Sequence, residues 1–203
     1  MPIEFETHFH PAQQLYKEAV DRGLGRAPGA PAADRQPAPV CAVVAAKALT
    51  GWAGYTIEYL IRADQEQREV GEIIDDSGAI MARYGQGFAT RGLETERKAA
   101  SFLRDPRLIV HQDEVEMLET HKIIGVWISV IYPDGEEHGL AVLSRDELPP
   151  QLRERCEAND QMITVDTMVG FTNFPAMAMT EDLAHWICSG DTRKVLTPIF
   201  AKK

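Results

Sequence analysis

The chain has 203 residues, 44% of them hydrophobic and 26% charged, with 31 acidic against 21 basic side chains and a formal net charge of -10 at pH 7. That length and apolar share fit one globular domain, or one with an appendage, and no run approaches the roughly 18 apolar residues of a membrane span, which sets a membrane role aside. The acidic excess opposes attraction to phosphate backbones, so nucleic acid is not expected as a direct ligand.

The opening residues, MPIEFETHFH, lack the basic start and apolar core of a secretory signal, and a cytoplasmic location is expected. Within them His8 and His10 fall on one side of an extended segment, a spacing that metal-dependent hydrolases use. Residues 11–24 predict a helix, with Pro11 at its start and Leu15, Ala19 and Val20 on one face. Four prolines among residues 25–39 predict an extended linker, so residues 1–39 read as an N-terminal arm and its connector. Residues 40–49 are nearly all apolar and rich in Ala, which favours a buried helix, and Gly51 and Gly54 end it.

Residues 55–61 alternate and carry β-formers, predicting a strand. A hairpin is expected over residues 69–84, in which Ile73 and Ile74 lead into the Asp75-Asp76-Ser77-Gly78 turn and residues 79–84 return. Thr90 is placed to cap a helix carrying Leu93, Ala99, Ala100, Phe102 and Leu103 before Pro106 stops it. Asp113, Glu114, Glu116 and Glu119 then read as the solvated face of a short helix with Val115 and Leu118 inward.

A second unit repeats the plan. Residues 123–132 predict a strand, Pro133-Asp134-Gly135 a turn and residues 140–143 a return strand, while Pro149 and Pro150 delay the next helix to residues 151–158. Another strand is expected at residues 162–171, then a helix from Thr180 with Leu183, Trp186 and Ile187 inward, and a last strand at residues 194–200. Residues 170–179, GFTNFPAMAM, show no clean period; they predict a packed loop or, where exposed, an adaptable binding surface through Phe171, Phe174, Met177 and Met179.

These elements predict an α+β fold: a mainly antiparallel sheet built from two strand-turn-strand-helix units, helices packed on one face, an N-terminal helical arm, and a single globular domain over residues 40–203. Cys41, Cys156 and Cys188 stand at wide, unrelated spacings and read as core thiols of a reducing compartment. No motif implies a cofactor or a catalytic task. Asp75 and Asp76 lack the alternating carboxylates of a cation loop, Gly85-Gln86-Gly87 lacks the rest of a phosphate fingerprint, and Trp186 and Ile187 make the helix bearing His185 and Cys188 a packed one. The expectation is a non-enzymatic acidic protein that binds another protein as inhibitor, adaptor or accessory factor. Its contacts would be Asp113, Glu114, Glu116 and Glu119 with Phe171, Phe174, Met177 and Met179, and a basic protein is the partner whose field complements them. The rivals are a small metal-dependent hydrolase using His8 and His10 and a homo-oligomer joined through unpaired strand edges.

Overall fold

The computed structural model describes residues 3–24, 38–81, 95–109, 115–133, 137–167, 176–190 and 192–203. Its strands are β1 (Ala79–Met81), β2 (His121–Ile131), β3 (Glu137–Leu143), β4 (Gln161–Val165), β5 (Ala176–Met179) and β6 (Arg193–Lys202). They form one antiparallel sheet in the order β1-β6-β2-β3-β4-β5. β2 and β6 are the long central pair, running in register from His121↔Lys202 to Ile131↔Arg193 with one irregularity between Ile123 and Gly125.

The helix α2 (Ala38–Thr50) organises the larger core. A helix that is apolar all round must be covered on every side, and α2 is: Val40 through Ala46, Ala48 and Leu49 are all buried. One side lies on the sheet with Ala141 and Leu143 of β3 and Ile163 and Val165 of β4. The other sides meet α1 (His10–Asp21), α3 (Ile57–Gln65) and α4 (Val70–Asp75). Its alanines allow the close approach, and Gly125 of β2 supplies the space where Leu49 comes down on the sheet. The opposite sheet face is covered by α5 (Glu96–Arg104) and a C-terminal helix over Thr180–Cys188. There Ala99, Phe102 and Leu103 pack with Leu183, Ala184 and Ile187 over Val126, Ile128 and Leu140.

The α+β class, the antiparallel sheet and the N-terminal helix are borne out. Residues 10–21 form α1, and Ala12, Leu15, Tyr16 and Ala19 are buried against the core that contains α2. Helices, however, cover both sheet faces where one was expected, because α5 and the C-terminal helix have their own apolar stripe to bury.

The first of the two repeated units also differs. Most of the stretch 55–61 is helical, not a strand, since α3 begins at Ile57: the Thr56 hydroxyl caps α3 by accepting from the Tyr59 amide at 3.2 Å, and Ile57, Leu60 and Ala63 then fall on one buried face. Ile73 and Ile74 lie in α4, whose start carries a reciprocal capping box between Glu69 and Glu72. The predicted hairpin is therefore helix, turn, strand. The turn itself stands, with Gly78 at a φ of 81° leading into β1, which pairs with β6.

The strands and helix of the second unit hold as β2, β3 and α7 (Pro150–Ala158), the helix after the short α6 (Met117–Thr120), while Asp134 and Gly135 of its expected turn lie outside the described residues. Thr95 rather than Thr90 caps α5, and Thr90 and Leu93 lie outside the described residues. Residues 176–179 form the edge strand β5 rather than a loop, pairing Met177 with Ile163. The helix Thr180–Cys188 is α8.

Candidate functional site

Three elements remote in sequence converge beside the start of α2. Cys41 stands at the end of the first turn of α2, His138 is the second residue of β3, and Asp166 and Thr167 directly follow β4. The Cys41 Sγ lies 3.3 Å from His138 Nδ1, and His138 Nε2 lies 3.0 Å from Asp166 Oδ1. The Thr167 hydroxyl reaches Cys41 Sγ from another direction, also at 3.3 Å. Cys41 is 1% exposed, His138 4% and Thr167 1%. This is a thiol, an imidazole within its reach, and a carboxylate that orients the ring, a set of groups able to support nucleophilic chemistry.

Local structure explains the placement. α2 is clamped on every side, so Cys41 has little freedom, and its position near the helix N-terminus puts a partial positive charge beside the sulfur. β3 is held between β2 and β4, with Val130 paired to His138 on one side. Asp166 fixes the imidazole: with Nε2 facing its carboxylate, Nδ1 must face Cys41.

The protonation state follows from the surroundings. Burial alone pushes the His138 pKa down, but the hydrogen bonds to Asp166 and Cys41, reinforced by their charges, outweigh it and bring it up to about 10. At neutral pH the ring is then an imidazolium that donates from both nitrogens, to the Asp166 carboxylate and to Cys41 Sγ.

This has a measurable consequence for stability. His138 titrates above its ordinary value of 6.5 in the folded chain, so its contribution is complete below that pH and is lost as pH rises through about 10. The titratable groups that face it are Cys41 from α2 and Asp166 after β4. Urea midpoints measured between these limits are expected to fall more steeply for the unsubstituted chain than for His138→Gln. Equal slopes would show that His138 takes no part in the pH dependence.

The residues singled out from the sequence lie elsewhere. His8 and His10 are not on an extended segment: His8 lies within a π-helical turn, Phe5–Phe9, and His10 begins α1, so at a two-residue spacing they do not face each other. His8 Nδ1 is occupied by the Glu4 amide at 3.1 Å and the Thr7 hydroxyl at 2.8 Å, and burial pushes the His8 pKa down. Among the described residues no three His, Cys, Asp or Glu side chains are grouped to hold a metal ion. Glu116 and Glu119 are exposed at α6, where Leu118 packs inward near Phe200 but Val115, expected inward, is 45% exposed. Met177 packs against the larger core and Met179 is 42% exposed. Asp113, Glu114, Phe171 and Phe174 lie outside the described residues.

Other polar clusters are structural. Asp160, at a φ of 48°, accepts from Arg104, Arg145 and Thr180, and the Arg104 hydrogen bond in particular holds its carboxyl well below the usual carboxylate range. It thereby ties α5, the α7–β4 turn and α8 together. A cleft of about 270 Å³ bounded by Arg104, Arg107, His121, Lys122 and Lys203 looks basic, yet its charges are already engaged. Arg107 pairs with Asp105, Lys122 with Glu147, and Lys203 donates to the Leu118 carbonyl.

The thiol site was not legible in the sequence because 97 positions separate Cys41 from His138 and 28 separate His138 from Asp166. The core-thiol expectation for Cys41 was right about burial and silent about its partner. Cys156 is a buried thiol as expected, while Cys188 is exposed. Compared with known proteins, the chain matches no family model, no curated protein and no solved structure.

Proposed function

We propose that the chain is a cysteine-dependent acyl-transfer enzyme that cleaves an amide or ester bond. The observation that carries this reading is the single line of contacts from Cys41 Sγ through both His138 ring nitrogens to Asp166. Cys41 Sγ attacks the carbonyl carbon, forming the carbon–sulfur bond, and the His138 Nδ1 proton passes to the leaving nitrogen or oxygen as its bond to the acyl carbon breaks. The same Nδ1 then takes a proton from water, whose oxygen attacks the thioester. The acid departs, and the sulfur leaves as thiolate beside the reprotonated ring. Asp166 holds ring orientation and balances the imidazolium charge throughout. Because Cys41 is 1% exposed, the acyl group reaches it only by displacing side chains that enclose it.

The test uses p-nitrophenyl acetate as an activated acyl donor. The expected result is an acetyl thioester on Cys41, seen in the intact protein by mass spectrometry, and turnover that Cys41→Ala removes. Nitrophenol release undiminished by Cys41→Ala, or no acetyl group on Cys41, overturns the proposal.

A second reading, binding of a basic protein, draws on the exposed Glu116 and Glu119 and on Glu66, Glu72, Asp75 and Asp76 gathered around Arg68. Failure of Cys41 acylation would favour it.

A further inference from the structure

The environment of the sulfur has a member that the nucleophile, base and acid do not account for. Thr167 is 1% exposed, so no bulk water competes for its hydroxyl, and among the described residues its one polar partner is Cys41 Sγ at 3.3 Å. A buried hydroxyl must spend its proton on an acceptor. His138 in its doubly protonated form already directs Nδ1–H at the same sulfur. A sulfur without its proton is the stronger acceptor for both, so the two donors together favour that form. We propose that Thr167 is a thiolate-holding residue of the Cys41 site: its hydroxyl donates to Sγ, raises the thiolate population and fixes the direction in which the sulfur points.

The inference rests on the acyl-transfer reading but concerns a separate atom. Asp166 and Thr167 are adjacent in the chain, and they grip the pair from its two ends, one through the imidazole and one through the sulfur. The termination of β4 therefore sets both the ring orientation and the hydrogen bond to the sulfur, so that one backbone movement there changes both together. As Cys41 becomes a thioester its sulfur loses charge, and the Thr167 hydrogen bond weakens. When the thioester is hydrolysed the bond strengthens again as the sulfur leaves. The effect therefore favours deacylation, where a stabilised sulfur anion is a better leaving group, while it tempers attack.

The experiment follows the thiolate ultraviolet absorbance of the full chain against pH, taken as the difference from Cys41→Ala, so that no reagent needs access to the buried sulfur. Thr167→Val keeps the shape and removes the hydroxyl. Its thiolate transition is expected to move up by about one pH unit, about a tenfold loss of thiolate at a fixed pH below the transition. Thr167→Ser is expected to restore the original profile, which a purely steric role would not do. Should Thr167→Val fail to fold by circular dichroism, Thr167→Ala reads the same loss without added bulk. A variant lacking the hydroxyl that titrates like the unsubstituted chain, with Cys41 still acylated by p-nitrophenyl acetate, overturns the role of Thr167 alone. Absence of any Cys41-dependent thiolate signal in the unsubstituted chain overturns both this role and the proposed function.

Discussion

Replacing His138 by glutamine is expected to slow alkylation of Cys41 by iodoacetamide at neutral pH by about 30-fold, because a thiol without a basic partner is only a few per cent ionised there. Glutamine fits the space and retains a hydrogen bond but cannot hold the proton that imidazolium shares with the sulfur. The variant's rate should therefore climb with pH more steeply than that of the unsubstituted chain. Cys188 is an internal reference. It is exposed, yet partial burial and then the nearby Glu96 push its pKa up, so it is accessible but poorly ionised at neutral pH. Peptide mass spectrometry separates the two sites in one sample. A Cys41 rate that His138→Gln leaves unchanged would show that His138 does not activate the sulfur.

Gly125→Ala is the second large effect. A methyl group there would lie 2.7 Å from the Val142 carbonyl oxygen and 2.8 Å from Leu49 Cδ2. The leucine tip can turn, but the carbonyl belongs to the β3 backbone, paired beside Gly125 on β2. Relief requires β2 and β3 to part, or α2 to lift from the sheet. Overpacking of this kind costs about 3 kcal/mol, and urea unfolding should record it. Since β3 carries His138 and α2 carries Cys41, the same change should slow Cys41 alkylation in the fraction that remains folded. Gly71 in α4 is the control, with nothing within 4 Å of its added Cβ, and Gly71→Ala should be neutral or stabilising by about 0.5 kcal/mol. Equal urea midpoints for the two alanine variants would remove the close-approach argument.

Much of the fold can be read from single segments. The apolar run around residues 40–49 announced a buried helix, and β2, β3, α5, α7 and β6 each follow from local pattern and punctuation. The failures share a cause. Tyr55, Ile57, Tyr59 and Ile61 alternate, but over seven residues the two-residue period overlaps the helical one, and the Thr56 cap decided between them. Ile73 and Ile74 were ambiguous in the same way until the Glu69–Glu72 box closed the helix start. Local signals decide local structure; which elements become neighbours is set by burying apolar faces against one another. The candidate site belongs entirely to that second level. Cys41 looks like any other small residue of α2, and His138 like any polar residue after a turn, until sheet and helix dock.

The strand order has a consequence for biosynthesis. β6 enters the sheet between β1 and β2, so the segment made last of those described here joins two strands that emerge much earlier. Until residues 193–202 leave the ribosome, β2 offers a long apolar edge with no mate, and β1 has nothing to pair with. Assembly of the sheet is thus a late, non-local event, and the nascent chain must carry an exposed, sticky edge while the residues between β2 and β6 are made. A polypeptide that stops before β6 would be left in that state permanently, a substrate for chaperones and proteases in place of a slightly weakened fold.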